Sequence, residues 1–214
     1  MNEKSAVVLL SGGLDSAVTA AYLKANGYTI KAGVFVNRGQ SNYKQELSAV
    51  LKVSEYLQVS LCSADFSLPD LSKFLSKEMR KKIGIPARNL ILSTLTLPYI
   101  YVLDCSVLAL GNIISDWRPD CNKEFRSKLA AVASQALEKE IDVVAPLADW
   151  EGWDKSDEII YANNNGYADL FGLTWTCWLG GKVHCGACDA CKGRKEGFVV
   201  AGLADPTAYG ESQQ

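Results

Sequence analysis

Short runs of apolar residues alternate along the chain with stretches that have the length and periodicity of helices. The apolar run at residues 6–10 is typical of a strand buried on both faces, and residues 17–25 have helical periodicity. Further strands are predicted at residues 28–35, 59–66, 107–110 and 141–144, and further helices at residues 43–56, 86–101 and 155–163. This order predicts an α/β fold, in which a doubly wound parallel sheet carries helices on both faces.

One more helix is predicted from six apolar positions that share a helical face, namely Phe125, Leu129, Val132, Ala133, Ala136 and Leu137. From about residue 173 the pattern changes to tryptophan, glycine and cysteine without clear periodicity. We therefore expect one large α/β domain over residues 1–172 and a small C-terminal segment over residues 173–214.

Composition and charge narrow the class of protein. Of the 214 residues, 48% are hydrophobic and 21% are charged, and the formal net charge of −2 argues against a dedicated nucleic-acid binder. The longest uncharged stretch, residues 89–103, is shorter than a membrane span of roughly 20 residues, and we expect no secretory signal. These features predict a cytoplasmic protein without a membrane partner. Its seven cysteines are then metal ligands, catalytic groups or core residues rather than disulfides.

The first predicted strand runs into a turn with the sequence Ser-Gly-Gly-Leu-Asp-Ser. Two glycines let the backbone turn tightly, and the free N–H groups at the start of the next helix favour an anion. We therefore predict a loop for pyrophosphate or a nucleoside triphosphate, with Asp15 either near a magnesium ion or capping the helix. In the simpler alternative, this is an ordinary strand-to-helix turn with Asp15 or Ser16 as its N-cap. The residues predicted to bind this phosphate ligand are Leu9, Leu10, Ser11, Gly12, Gly13, Leu14, Asp15 and Ser16.

Four cysteines late in the chain have the spacing of a metal site: Cys177, Cys185, Cys188 and Cys191. A Cys-x-x-Cys turn directs two sulfurs at one centre, and four thiolates complete a tetrahedral zinc site. Because four sulfurs leave no open coordination position, we predict one structural zinc ion. The single histidine, His184, is either a bystander or a substitute ligand, and its isolation argues against histidine-dependent nucleophilic catalysis.

The loop, the cysteine cluster and several segments between them resemble the QueC family of the ATP pyrophosphatase (PP-loop) superfamily. The intervening matches are Gly39-Gln40 with Glu46-Leu47, Ile85-Pro86-Ala87-Arg88-Asn89, Pro119-Asp120-Cys121 with Glu124-Phe125, and Glu158-Ile159-Ile160 with Leu173-Thr174-Trp175-Thr176-Cys177. The resemblance covers essentially the whole chain. It implies a Rossmann-like (HUP-type) fold, with ATP bound by residues 1–172 and zinc by residues 173–214.

The resemblance also implies an ATP-dependent carbon–nitrogen ligase of the deazaguanine pathway that leads to queuosine. In that reaction ATP adenylates the carboxylate of 7-carboxy-7-deazaguanine, ammonia gives the amide, and a second adenylation gives 7-cyano-7-deazaguanine. It further implies a homodimer. Catalytic or substrate-binding roles are implied for Gln40, Arg88, Asn89, Asp120, Cys121 and Phe125.

Three departures from the family pattern bear on the acceptor pocket. The basic pair expected after Gln40 is Ser41-Asn42, the connection from Gly111 to Pro119 is short, and the lysine expected at residue 156 is a serine that follows Lys155. Two alternative functions therefore stay open. One is a diverged enzyme of an antiphage defence system that joins a deazaguanine to a protein amine. The other is a tRNA-thiolating enzyme, for which Cys121 is the candidate persulfide carrier.

Several of these residues also admit purely structural roles. Arg88 binds either an anionic ligand group or an ordinary salt-bridge partner. Asp120 contacts either a guanine-like edge or the start of the helix that contains Phe125, and Cys121 is either a pocket residue or a small buried one. The basic residues Lys182, Lys192, Arg194 and Lys195 are interspersed with acidic ones, which predicts a solvated face.

Overall fold

The computed structural model describes residues 4–66 and 87–210. Within these ranges, five parallel strands form one sheet in the order β3-β2-β1-β4-β5. The strands are β1 (Ser5–Leu9), β2 (Thr29–Asn37), β3 (Leu61–Asp65), β4 (Val107–Ala109) and β5 (Asp142–Val144). The predicted parallel α/β architecture is confirmed, and the strand bounds shift by no more than two residues.

Helices connect the strands and cover both faces of the sheet. In the described ranges they are α1 (Leu14–Ala25), α2 (Tyr43–Leu57), α3 (Arg88–Val102), α4 (Lys123–Leu137), α5 (Pro146–Asp149), α6 (Lys155–Asn164), α7 (Leu170–Leu173) and α8 (Asp189–Ala201), with a 3-10 turn at Pro119–Cys121. None of the helices in these ranges has the length and apolarity to cross a bilayer. The predicted start of α3 at Pro86 lies outside the described residues.

Side chains of consecutive residues along a strand enter hydrophobic layers on opposite faces of the sheet, as expected for a sheet covered on both faces. Val8 packs with Phe35 and with residues of α1 and α2, whereas Val7 packs with Val34, with Ile100 of α3 and with residues of α4. Both strand faces are therefore buried, which explains why β1 is a continuous apolar run rather than an alternating one.

The predicted buried face of α4 is partly wrong. Val132 is 63% exposed and Ala136 is also exposed, whereas Arg126 is 2% exposed. The Arg126 guanidinium turns inward because it forms an ion pair with Asp149 and donates to the backbone oxygen of Cys121. Because these acceptors satisfy its guanidinium, Arg126 is buried at a position that the apolar periodicity of α4 predicts to be exposed.

The sheet order reverses direction between β1 and β4, which creates a crevice at the carboxyl ends of these two strands. Gly111, just after β4, lies in close contact with the start of α1. A Cβ at Gly111 would lie 2.7 Å from both the Cα and the backbone nitrogen of Ser16. The fold therefore places the glycine turn that follows β1 at the position where doubly wound sheets bind ligands.

Candidate functional site

The glycine turn leads directly into α1. Gly12 has φ +80° and lies against α2, since a Cβ at this position would be 2.7 Å from the Glu46 carbonyl oxygen. Gly13 is the N-cap residue and α1 begins at Leu14, three residues earlier than predicted. Asp15 and Ser16 are therefore inside the helix, and the interpretation of either as its N-cap is wrong.

Hydroxyl groups hold the turn in shape. Ser16 Oγ accepts from the Ser11 backbone nitrogen at 3.1 Å and donates to the Gly13 carbonyl oxygen at 3.1 Å, while Ser11 Oγ accepts from the Gly13 nitrogen at 3.2 Å. The backbone N–H groups of residues 14–16 have no acceptor in the described part of the chain. Together with the helix dipole, these groups provide a site for an anion such as a phosphate.

A lysine far along the sequence reaches this turn. Lys155 Nζ, at the start of α6, donates to Asp15 Oδ1 and to Glu158 Oε1, the latter at 2.8 Å. Glu158 is fully buried, and burial raises the pKa of its carboxyl group. Sequence reasoning noted Lys155 only as a displaced family lysine. The signal that identifies it is this tertiary contact with the loop.

Arg88 begins α3 at the same edge of the sheet and is half-buried. In residues 4–66 and 87–210 it forms no ion pair and no hydrogen bond, so the salt-bridge interpretation is not supported there. Burial lowers the pKa of Arg88, and the positive charges of Arg118 and then Arg38 lower it further. Arg118 and Arg38 are therefore near enough to Arg88 for their charges to act on it.

Asn89 joins the start of α3 to the turn at Pro119–Cys121. Its backbone nitrogen donates to Asp120 Oδ2 at 2.7 Å, and its Nδ2 donates to the Asp120 carbonyl oxygen at 2.9 Å and to Cys121 Sγ at 3.1 Å. The interpretation of Asp120 as the cap of α4 is wrong, because Asn122 has that role and accepts from the Phe125 nitrogen at 2.8 Å. Asp120 instead binds the first turn of α3.

The four predicted metal ligands converge. Their sulfur atoms all lie within 4.8 Å of one another, and no disulfide joins them. The Sγ atoms of Cys185 and Cys191 are 3.9 Å apart. Four sulfurs at ~2.3 Å from one zinc ion would be about 3.8 Å apart, so the cluster has the dimensions of a single-ion site.

Backbone N–H groups surround the sulfurs of this cluster. Cys177 Sγ accepts from the backbone nitrogens of Leu179 and Cys185, and Cys185 Sγ accepts from those of Ala187 and Cys188, all at 3.3 to 3.4 Å. The donors from Ala187 and Cys188 lower the pKa of the Cys185 thiol to about 6. Such donors stabilise thiolates, which are the form that binds a metal.

His184 lies beside the cluster but not in it. Its Nε2 accepts from the Thr176 backbone nitrogen at 3.0 Å, and its ring lies against Trp175 with centroids 4.1 Å apart. Burial and the positive charge of Arg194 lower the pKa of His184 to about 4. These contacts give the imidazole a structural role outside the sulfur cluster, as in the bystander interpretation.

The metal segment is attached to the loop. The Trp175 nitrogen donates to the Gly12 carbonyl oxygen at 2.8 Å, and Asn42 Nδ2 donates to the Cys177 carbonyl oxygen at 2.9 Å. The predicted division at residue 172 stays a prediction, since these contacts describe how the two parts meet and not whether each folds alone. The prediction that Arg194 belongs to a solvated face is wrong, because its side chain is fully buried.

Comparison with known proteins agrees with this combination of loop and cysteine cluster. The family model described as "Queuosine biosynthesis protein QueC" matches residues 5–202. This chain belongs to the QueC family. A 7-cyano-7-deazaguanine synthase from Pseudomonas aeruginosa is 33% identical over 230 residues, covering 98% of this chain and 100% of that protein. Another from Methanothermobacter thermautotrophicus is 29% identical, covering 96% of this chain and 99% of that protein.

A solved structure extends the comparison to the fold. The U34-tRNA thiolase NcsA from Methanococcus maripaludis, solved with its 4Fe-4S cluster, matches with a TM-score of 0.50 and 20% identity. The match covers 94% of this chain and 66% of that chain. At this identity the likeness concerns the fold, which is the α/β architecture predicted for a PP-loop protein.

The QueC family pattern has a basic pair after Gln40 that this chain lacks, and an arginine, Arg38, stands two residues before Gln40. Arg38 pairs with Glu46 at 3.4 Å, and its charge acts on Arg88. Gln40 Oε1 accepts from the Arg38 nitrogen at 2.9 Å, and its Nε2 donates to Glu46 Oε2 at 2.7 Å. The Gln40 side chain thus supports the turn that presents Arg38, and its predicted substrate contact stays a prediction.

Proposed function

We propose that this QueC-family chain is an ATP-dependent carbon–nitrogen ligase that converts 7-carboxy-7-deazaguanine to 7-cyano-7-deazaguanine. The observation that carries the proposal is the family match over residues 5–202. Relatives named 7-cyano-7-deazaguanine synthase align with this chain over nearly their whole length. The site geometry supports it, because a loop suited to phosphates and Arg88, which has no partner among the described residues, lie at the same edge of the sheet.

In the first step a carboxylate oxygen of the substrate attacks the α-phosphorus of ATP, the bond to the bridging oxygen breaks, and pyrophosphate leaves. The N–H groups of residues 14–16 and the Lys155 ammonium face the charge that develops on the leaving group. Preorganised donors of this kind contribute several kcal/mol, about 3 for one donor, because they need no reorganisation during the reaction. Magnesium bound with the nucleotide supplies further positive charge.

In the second step ammonia attacks the acyl carbon of the adenylate, loses a proton and displaces AMP, which gives the amide. The amide oxygen then attacks the α-phosphorus of a second ATP and releases pyrophosphate. Loss of AMP and of the remaining N–H protons gives the nitrile. In both activations an oxygen that is a poor leaving group is converted to AMP, which is a good one. Both activations use the same loop.

We propose that Arg88 binds the anionic part of the acceptor. Its guanidinium is half-buried and lacks a protein partner among the described residues, and an unpaired buried cation is costly unless a ligand pairs with it. Asn89, Asp120 and Cys121 hold the start of α3 in place through hydrogen bonds. The same proposal includes catalytic or substrate-binding roles for Phe125 and Gln40.

We propose that the four-cysteine cluster holds one structural zinc ion. The thiolates of a 4Fe-4S cluster each bind a different iron, whereas here all four sulfurs lie within 4.8 Å, which suits one shared ion. Zinc with four thiolates has no open position for substrate. Its contribution is to hold the segment that bonds to Gly12, so it acts on folding rather than on chemistry.

The test incubates the protein with ATP, magnesium, ammonium and 7-carboxy-7-deazaguanine and follows the products by mass spectrometry. We expect the amide, then the nitrile, with AMP and pyrophosphate as coproducts. An ATP analogue with a carbon bridge between the β- and γ-phosphorus should support the reaction, whereas one bridged between the α- and β-phosphorus should not. Release of ADP, or absence of both amide and nitrile, would contradict the proposal.

The same assay separates the alternatives. A protein amine as acceptor would appear as a mass adduct on an added protein in place of free nitrile. A thiolating role requires Cys121 to act as a nucleophile, yet this residue is 5% exposed and burial raises the pKa of its thiol. Nitrile formation by Cys121→Ser would confirm that no persulfide carrier is needed. The implied homodimer is tested independently by the mass of the protein in solution.

A further inference from the structure

Two glycines of α8 differ in what surrounds them. The helix starts after Cys188 and contains Cys191, so it is part of the metal segment. A Cβ at Gly193 would meet nothing within 4 Å, whereas a Cβ at Gly197 would lie 2.5 Å from Cγ of Lys155. A distance of 2.5 Å is well inside van der Waals contact, so α8 approaches α6 this closely because Gly197 has no side chain.

The absence of a side chain at Gly197 makes room for Lys155. The stem and the ammonium of the Lys155 side chain have different surroundings. The stem of the side chain lies against the α8 backbone at Gly197, and the ammonium donates to Asp15 in the loop and to Glu158. Among the residues that the structure describes, Lys155 is the one cation that forms an ion pair with the fully buried Glu158 carboxylate. The stem contact and the carboxylates together determine where a flexible four-carbon side chain places its charge.

We propose that Gly197 is a positioning residue for nucleotide binding, through which the metal segment holds the Lys155 ammonium at the phosphate-binding loop. The proposal rests on the proposed function, because it takes ATP as the ligand of that loop. When the nucleotide binds, the ammonium replaces Asp15 by a phosphate oxygen and keeps Glu158 as its anchor. Integrity of the C-terminal segment thereby influences ATP affinity without any of its residues contacting ATP.

The direct test compares Gly197→Ala with Gly193→Ala, two equal substitutions in one helix. Binding of the ATP analogue bridged by carbon between the α- and β-phosphorus is measured by calorimetry on metal-loaded protein. For Gly197→Ala we expect Kd to rise about tenfold or more, as for loss of a hydrogen bond between charged groups. Gly193→Ala should keep the parental Kd. Both variants should contain the parental amount of metal.

A double-mutant cycle asks whether Gly197 acts through Lys155. Lys155→Ala removes the Cγ atom that a new Cβ would approach to 2.5 Å, so Gly197→Ala should cause no further loss of affinity in that background. The double variant also removes the closest contact, which keeps the comparison available if Gly197→Ala alone gives too little folded protein. An equal loss of affinity with and without Lys155 would overturn the proposal.

The outcomes separate this inference from the function on which it rests. If the parent protein binds no analogue and forms no nitrile, the proposed function fails and this inference fails with it. If the parent binds the analogue and forms nitrile while Gly197→Ala keeps the parental Kd, only the positioning role is wrong. A higher Kd for Gly197→Ala with unchanged metal content and an unchanged Gly193→Ala control supports it.

Discussion

Arg194 of the metal segment and Arg88 at the carboxyl edge of the sheet are both at least partly removed from water, and they differ in the partners that the described residues give them. Arg194 is fully buried and donates to Asp205, to the hydroxyls of Thr174 and Thr176 and to the Phe171 carbonyl oxygen. Arg88 is half-buried and has no partner in the described ranges. Because desolvated cations are costly without acceptors, the first arginine stabilises the fold and the second is available to a ligand.

Backbone groups show the same contrast. In the metal segment, N–H groups donate to the sulfurs of Cys177 and Cys185. At the start of α1, the N–H groups of residues 14–16 have no acceptor within the part of the chain that the structure describes. The donors around the sulfurs therefore have partners within the protein, whereas those at the start of α1 are available to the phosphate ligand that we propose.

Among the variants that test this contrast, Cys188→Ser should have the largest effect on stability, because it removes a ligand of the metal site. Structural zinc contributes on the order of 10 kcal/mol to the folding of small domains, so loss of one ligand should give insoluble protein or a strongly lowered Tm. Cys62→Ser, on β3 and outside the cluster, should change stability by about 1 kcal/mol or less. Metal analysis should find one zinc per chain in the parent. A stable Cys188→Ser protein would show that the cluster is not structural.

Arg194→Met should have the next largest effect. It leaves the half-buried Asp205 carboxylate without its charged partner and the Phe171 carbonyl oxygen without its side-chain donor, and breaking such a buried pair costs about 3–5 kcal/mol. Denaturant unfolding measures this loss. The exposed Lys192→Met in the same helix serves as the control and should change the free energy of unfolding by about 0.5 kcal/mol or less. Equal stability of the two variants would contradict the structural role of Arg194.

Gly12→Ala tests the loop against a glycine of the same conformation. Gly12 and Gly27 both have φ +80°, but only at Gly12 would a Cβ lie 2.7 Å from a carbonyl oxygen, that of Glu46. Gly27→Ala should cost about 1 kcal/mol for the backbone alone, and Gly12→Ala should cost about 2–4 kcal/mol because overpacking adds to it. Gly12→Ala should also abolish pyrophosphate release. Similar unfolding curves for the two variants would mean that the loop and α2 are not in close contact.

The smallest effect on stability is expected for Arg88→Met, together with a large effect on activity. Removing a half-buried charge that has no partner among the described residues should leave the free energy of unfolding unchanged or raise it by up to about 1 kcal/mol. The kcat/KM for 7-carboxy-7-deazaguanine should fall roughly tenfold to hundredfold, as for a lost charged hydrogen bond. A destabilised Arg88→Met protein with normal kcat/KM would reverse the comparison with Arg194.

Some features of this protein depend on short stretches of chain, and the sequence alone determined them. Continuous apolar runs predicted the parallel strands, the Ser-Gly-Gly-Leu-Asp-Ser sequence predicted a turn between β1 and a helix, and the spacing of four cysteines predicted their convergence. In each case the physical cause, such as burial of both strand faces or the geometry of a Cys-x-x-Cys turn, acts over a few neighbouring residues.

Other features join residues far apart in sequence, and only the tertiary structure decided them. Lys155 meets Asp15 across 140 positions, and Asp120 caps α3 through Asn89 rather than the helix that follows it. Arg126 points inward and Val132 outward because an acceptor, Asp149, lies on the inner side of α4. A polar side chain takes the partner that packing brings within reach, and sequence spacing carries no record of which elements will be neighbours.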